Sequence, residues 1–177
     1  HDRVELSYAH QTFDTQDAGA ALGLGKGYTF NQDIWGVKVV LLGDAVYDQD
    51  RLLPQIAVGA QYKRNDRGAI IAAVGGEDDS GTDYYVAATK LLLDRSLLLN
   101  GTVRMTKANQ TGLLGFGGPN GSDYSAQFEG SVAWLATKRL AFGAEYRSKP
   151  SNLAFAREDD WVDLFAAYAI NKNLSVT

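Results

Sequence analysis

The feature that most constrains this chain is a two-residue period of hydrophobicity along nearly its whole length. In 55–63, Ile56, Val58, Ala60 and Tyr62 fall on one phase, and Gln55, Ala57, Gly59, Gln61 and Lys63 on the other. Successive strand side chains point to opposite faces, so the segment reads as a strand with one apolar and one small or polar face. The same pattern predicts strands at about 3–13, 34–44, 55–63, 82–93, 96–107, 125–136, 140–149 and 161–170, with a ninth opening at 174–177. The fourth has the least clean phase. It is expected to set Tyr85, Ala87, Leu91 and Leu93 on the apolar face against Tyr84, Val86, Ala88 and Lys90.

Alternation is shared by soluble sandwiches and membrane barrels. Three features favour a barrel. The mid-strand charges Glu5, Lys38, Lys63, Lys90, Arg104, Glu129, Glu145, Arg147 and Asp163 are all read on the non-apolar phase. A Lys or Arg facing lipid near the midplane costs about 2–4 kcal/mol, so a membrane strand keeps them off that face. The polar phase also carries small residues, among them Ser7, Gly36, Ala57, Gly59, Ser131 and Gly143, which suits an enclosed interior. Finally, connections near 14–32, 65–81, 108–124 and 150–160 are long, and those near 45–54, 94–95, 137–139 and 171–173 are shorter. Outer-membrane barrels pair long external loops with short periplasmic turns. Trp35, Tyr62, Tyr85, Phe128 and Tyr146 then lie toward one rim, and Trp134, Phe142 and Tyr168 toward the other, as two aromatic girdles.

The expected fold is all-β: an antiparallel up-and-down transmembrane barrel, one partial domain over residues 1–177. Single-chain bacterial barrels are normally even-stranded, and an open edge does not sit in lipid. Nine strands therefore predict a fragment, with further strands at both ends. No apolar run approaches the roughly 20 residues of a membrane helix, a test that strands escape. The chain has no cysteine, which removes disulfides and thiolate zinc. Its net charge of -4 gives no reason to expect nucleic acid.

Few residues suggest chemistry. Gly23-Leu24-Gly25-Lys26-Gly27 is not a phosphate loop, because Gly27 follows the Lys and Ala20 stands six residues before it. Glu77-Asp78-Asp79 and Glu158-Asp159-Asp160 read as solvated loop charge, with Arg64, Arg67 and Arg157 as candidate partners holding the loops together. Histidine is limited to His1 and His10, and no elbow motif frames Ser7 or any other serine, which argues against a hydrolase.

The informative set is the expected lumen lining: Arg3, Glu5, Lys38, Lys63, Lys90, Arg104, Glu129, Glu145, Arg147 and Asp163. Such charges either pair into a network that fills a barrel or line a pore. The expected function is passive passage or binding of small solutes or ions. The alternative is a filled barrel acting through its loops. Expected partners are outer-membrane lipid and lipopolysaccharide. No cofactor or metal is implied.

Several blocks also resemble a known family. They are Asp2-Arg3-Val4-Glu5-Leu6-Ser7, Gly43-Asp44-Ala45-Val46-Tyr47-Asp48-Gln49-Asp50-Arg51 and Gly59-Ala60-Gln61-Tyr62-Lys63-Arg64-Asn65-Asp66-Arg67-Gly68. Later blocks are Ala87-Ala88-Thr89-Lys90, Thr106-Lys107-Ala108-Asn109-Gln110, Gly143-Ala144-Glu145-Tyr146-Arg147 and Phe155-Ala156-Arg157-Glu158-Asp159-Asp160. Together they resemble an uncharacterised family of Gram-negative outer-membrane proteins known as a domain of unknown function. The resemblance implies an outer-membrane β-barrel with strands beyond both ends, and brings no catalytic residue, substrate or cofactor.

Overall fold

The computed structural model describes residues 3–21, 23–48, 51–154 and 157–177. Nine antiparallel strands form one sheet in chain order, curled into a half-barrel. They are β1 (Val4–Asp14), β2 (Thr29–Leu42), β3 (Gln55–Asn65), β4 (Ser80–Leu92), β5 (Leu97–Thr106), β6 (Ser125–Leu135), β7 (Leu140–Arg147), β8 (Trp161–Asn171) and β9 (Leu174–Val176). Two short helices, α1 (Gln16–Ala21) and α2 (Gly68–Ala73), lie in long connections. Such a meander needs only local turns, so its order follows directly from the alternating segments.

Cross-strand register sorts the two faces. Leu6, Val37, Ala60, Tyr84, Met105 and Ala126 form one row across β1 to β6 on the convex side. Lys38, Gly59, Tyr85, Arg104 and Gln127 form a concave row across β2 to β6. A β-bulge between Val40 and Leu42 shifts the alternation there and places Leu42 opposite Ile56.

β4 corrects the sequence expectation. Tyr84 and Val86 are on the convex face, and Tyr85 is on the concave one, so Tyr85 does not join the aromatic girdle. The sequence was ambiguous because both phases of β4 carry apolar residues. Register with β3 decides it: Tyr85 pairs with Gly59, and its ring covers the space a Cβ would fill. Phe165 covers Gly143 in the same way. Small concave residues thus make room for rings as well as for an interior.

The same correction moves Lys90, expected in the lumen, onto the phase of Val86 and Ala88, opposite Leu99. It is nonetheless buried. Its ammonium reaches the backbone carbonyl of Asp48, and that of Leu53 at 3.5 Å, in the connection at the short-turn end. A long apolar stem lets the charge leave an apolar face in this way.

β2 begins earlier than expected. The β1–β2 ladder continues to the pair Asp14–Thr29, extended by the Phe13–Phe30 contact at 5.3 Å and the Thr12–Asn31 hydrogen bond at 2.8 Å. Convex aromatics gather at both ends. Tyr8, Trp35 and Tyr62 contact in series at 5.7 Å each near the long loops, and Trp134 stacks on Phe142 at 6.5 Å near the short turns. The deepest burial lies in the cap of long loops, at Phe116, Leu153, Ile71 and Asn109, and in the strand ends beneath it, at Gln32, Asn65 and Asp83.

Candidate functional site: a charged concave face under a folded loop

Alternation aims Lys63, Asp83, Arg104, Glu129 and Arg147 at the concave face, where antiparallel register brings them together. Lys63 Nζ is 2.7 Å from Asp83 Oδ2, and Arg104 Nη1 lies 3.7 Å from the same oxygen. Arg104 also donates to Gln61 Oε1 at 3.0 Å. Arg147 Nε approaches Glu129 Oε1 at 3.3 Å. The Thr106 hydroxyl donates to Asp83 Oδ1 at 2.5 Å. Lys63 and Asp83 are 7% and 1% exposed, so each side chain faces its partners rather than water. The guanidinium of Arg104 also lies 5.0 Å from the Tyr85 ring centroid.

The connection after β5 folds down onto this network. Gln110, Thr111 and Gly112 have φ of 46°, 60° and 103°, three left-handed residues in succession that reverse the chain sharply. Their carbonyls meet the sheet: Lys63 Nζ donates to Thr111 O at 2.9 Å, and Asn65 Nδ2 donates to Gly112 O at 2.7 Å. Among the described residues the side-chain amide of Gln32, buried beside Gly112, has no hydrogen-bond partner, and neither does Asn65 Oδ1.

Neighbouring loops hold this one in place. Phe116 bridges to Asp78 and Ala108 and lies over Gly81. Asn109 donates to Gly117 O at 2.8 Å and accepts from Asn152 Nδ2 at 3.0 Å. Both Glu158 oxygens accept the Gln110 N–H at 2.9 Å. Burial pushes the Glu158 carboxyl above the ordinary glutamate range, against the pull of that N–H and of Lys149. Lys107 donates to Asp78 Oδ2 at 2.8 Å, and this bond raises the Lys107 ammonium. Two of the arginines expected to hold the loops do other work: Arg67 lies 3.9 Å from its neighbour Asp66, and Arg64 stands opposite Asp33 on the convex face.

The remaining expected lining residues spread along the concave face. Glu5 and Lys38 form an exposed pair at 2.6 Å across β1 and β2. Arg3 lies at the exposed start of β1, where its carbonyl accepts Val40 N–H. Glu145 stands opposite Asp163, away from the buried network. His10 does not meet Ser7. His10 Nδ1 is 2.7 Å from Asp33 Oδ1 on the convex face, and Ser7 points to the concave one beside Gly36. Among the described residues no cluster of three or more acids and histidines is arranged to hold a metal.

A family model described as "Protein of unknown function (DUF3034)" matches residues 1–177. The chain belongs to that family. No curated protein and no solved structure matches it.

For this DUF3034 chain, sequence reading missed Asp83, the hub of the network. The signal was present: Asp83 shares a phase with Tyr85, so a correct phase for β4 places it beside Lys63. Gln32, Asn65 and Asn109 were missed because a loop buries them, and loops carry no period.

Proposed function

We propose that this chain forms part of a bacterial outer-membrane β-barrel that passes or binds small polar solutes along its concave face. The division of the sheet carries this reading. The concave face mixes both signs, with Arg3, Lys38, Lys63, Arg104, Arg147 and Lys149 beside Glu5, Asp83, Glu129, Glu145 and Asp163. The convex face exposes Leu6 by 80%, Leu164 by 78% and Val162 by 69%. A hollow of about 490 Å³ on it is lined by five valines with Ala60, Tyr84 and Met105, and reaches Gly59 and Tyr85. Charges on the convex phase stand at its ends, Asp33 and Arg64 near the long loops and Lys90 near the short turns. An apolar surface this continuous needs cover, and a band between stacked aromatics suits lipid. Lipid requires paired strand edges, so the reading carries the requirement that the outer edges of β1 and β9 be closed.

A mixed lining suits polar solutes with weak ion preference. The loop seated on Lys63 and Asn65 favours a second reading, a filled barrel acting through its loops. Planar-bilayer recording on the full-length protein separates them. Stepwise conductance supports passage; a silent bilayer with folding shown independently favours the filled barrel.

A further inference from the structure

We propose that the concave cleft around Glu145, Arg147 and Trp161 binds a small zwitterion of the amino-acid type, a reading that rests on the passage or binding function above. The cleft measures about 320 Å³ between the lower face of the folded loop, at Thr111 and Leu113, and the β7–β8 surface. It adjoins a hollow of about 190 Å³ that shares Glu145, Arg147 and Trp161. That is the scale of a small-molecule pocket.

Two of its charges, Glu145 and Lys149, differ from the buried network in one respect: among the described residues neither is in an ion pair. Arg147 and Glu145 lie two residues apart on β7, yet the Arg147 Nε faces Glu129 at 3.3 Å. Among the described residues Glu145 has no ion pair or side-chain hydrogen bond, although it lies opposite Asp163 in the register. Asp163, on the neighbouring strand and outside the cleft lining, accepts the Leu164 N–H at 2.8 Å. The Lys149 ammonium likewise has no ion-pair partner among the described residues and lines the same cleft. Glu145 and Lys149, one charge of each sign in one cleft and neither in an ion pair among the described residues, match a ligand carrying both signs. Its ammonium would sit at Glu145, and its carboxylate at Lys149 and the edge of Arg147 turned away from Glu129. Trp161, opposite Arg147 and 40% exposed, offers a flat apolar surface for the carbon skeleton. A simple cation would leave Lys149 unmatched, and a simple anion would leave Glu145 unmatched.

The test is saturation-transfer NMR on the full-length protein folded in detergent, with L-phenylalanine as the probe. Phenethylamine and 3-phenylpropionate, which lack one charge each, are the controls. L-phenylalanine is expected to bind about tenfold tighter than either, the scale of one charge-assisted contact. Glu145→Gln and Lys149→Gln are each expected to weaken it about tenfold, with far-UV circular dichroism unchanged. Should one variant fail to fold, the other carries the test. The inference is overturned if a singly charged control binds as tightly, if both folded variants bind normally, or if L-phenylalanine does not bind. Binding is read without conductance. A conducting protein that binds no L-phenylalanine keeps the passage function and loses this site, whereas a silent protein that binds it does the reverse.

Discussion

The Arg104 guanidinium is forked onto the Glu129 carboxylate. Nε donates to Oε1 at 2.6 Å and Nη2 to Oε2 at 3.2 Å, with the two side chains 13% and 15% exposed. The pair joins β5 to β6 and links Asp83 on one side to Arg147 on the other. Removing one member leaves buried charge without its partner. Arg104→Met should destabilise the folded protein by about 3 kcal/mol, the scale for breaking a buried pair. The double variant Arg104→Met, Glu129→Met should regain much of that loss. Urea unfolding of the detergent-folded protein checks both; a double variant as unstable as the single one would deny the coupling.

Glycines on the two faces should respond differently to the same change. At Gly59 a Cβ would run into the Tyr85 ring, whereas at Gly101 it would meet nothing within 4 Å. Gly59→Ala should cost about 1–3 kcal/mol through overpacking. Gly101→Ala should stay within about 0.5 kcal/mol of the parent. Unfolding midpoints of the two variants, measured side by side, decide this.

The loop cap should open without the sheet. Asn109 is fully buried and joins Gly117, Leu114 and Asn152. Asn109→Ala leaves several of these groups unpaired, at about 1–3 kcal/mol. Limited proteolysis should cut within 108–118 sooner, while the strand content by circular dichroism is retained. Loss of strand signal together with cleavage would show that cap and sheet fold as one unit.

Docking of Glu158 gives the cap a pH dependence. Its carboxyl is raised in the docked loop, so the docked state binds the proton more tightly than the open one. Docking is then strongest below the ordinary glutamate value near 4.5 and weakens as pH rises from there through the raised value. A fluorophore on Ala154→Cys, the only thiol in a chain without native cysteine, should gain mobility over that rise. Glu158→Gln should flatten the profile; an unchanged profile would assign the effect elsewhere.

If the bilayer conducts, ion preference should follow half-buried Glu145 and exposed Asp163 rather than Lys63. Lys63 is 7% exposed and committed to Asp83 and Thr111. Glu145→Gln with Asp163→Asn should shift the reversal potential toward anions. Lys63→Gln should mainly lower stability. Reversal potentials in a salt gradient distinguish the two.

Alternation in the sequence by itself determined the strands, their antiparallel order and the face of nearly every charge, because side-chain direction in a strand is a local property with a period of two. Arg104, Glu129 and Arg147 were legible for that reason. β4 was not: with Tyr84 beside Tyr85 and Val86 beside Ala87, both phases satisfy the period. Only pairing with Gly59, where one face had room for a ring, chose between them, and that choice moved Lys90 out of the expected lining and brought Asp83 in. The descent of residues 108–118 onto Lys63 and Asn65 was likewise settled by tertiary structure. Loop backbone has no repeating pattern, and its place depends on partners far along the chain, such as Asn152 for Asn109 and Glu158 for Gln110. Local chemistry wrote the walls of this half-barrel, and long-range contacts decided which of its charges are sealed and which stay open.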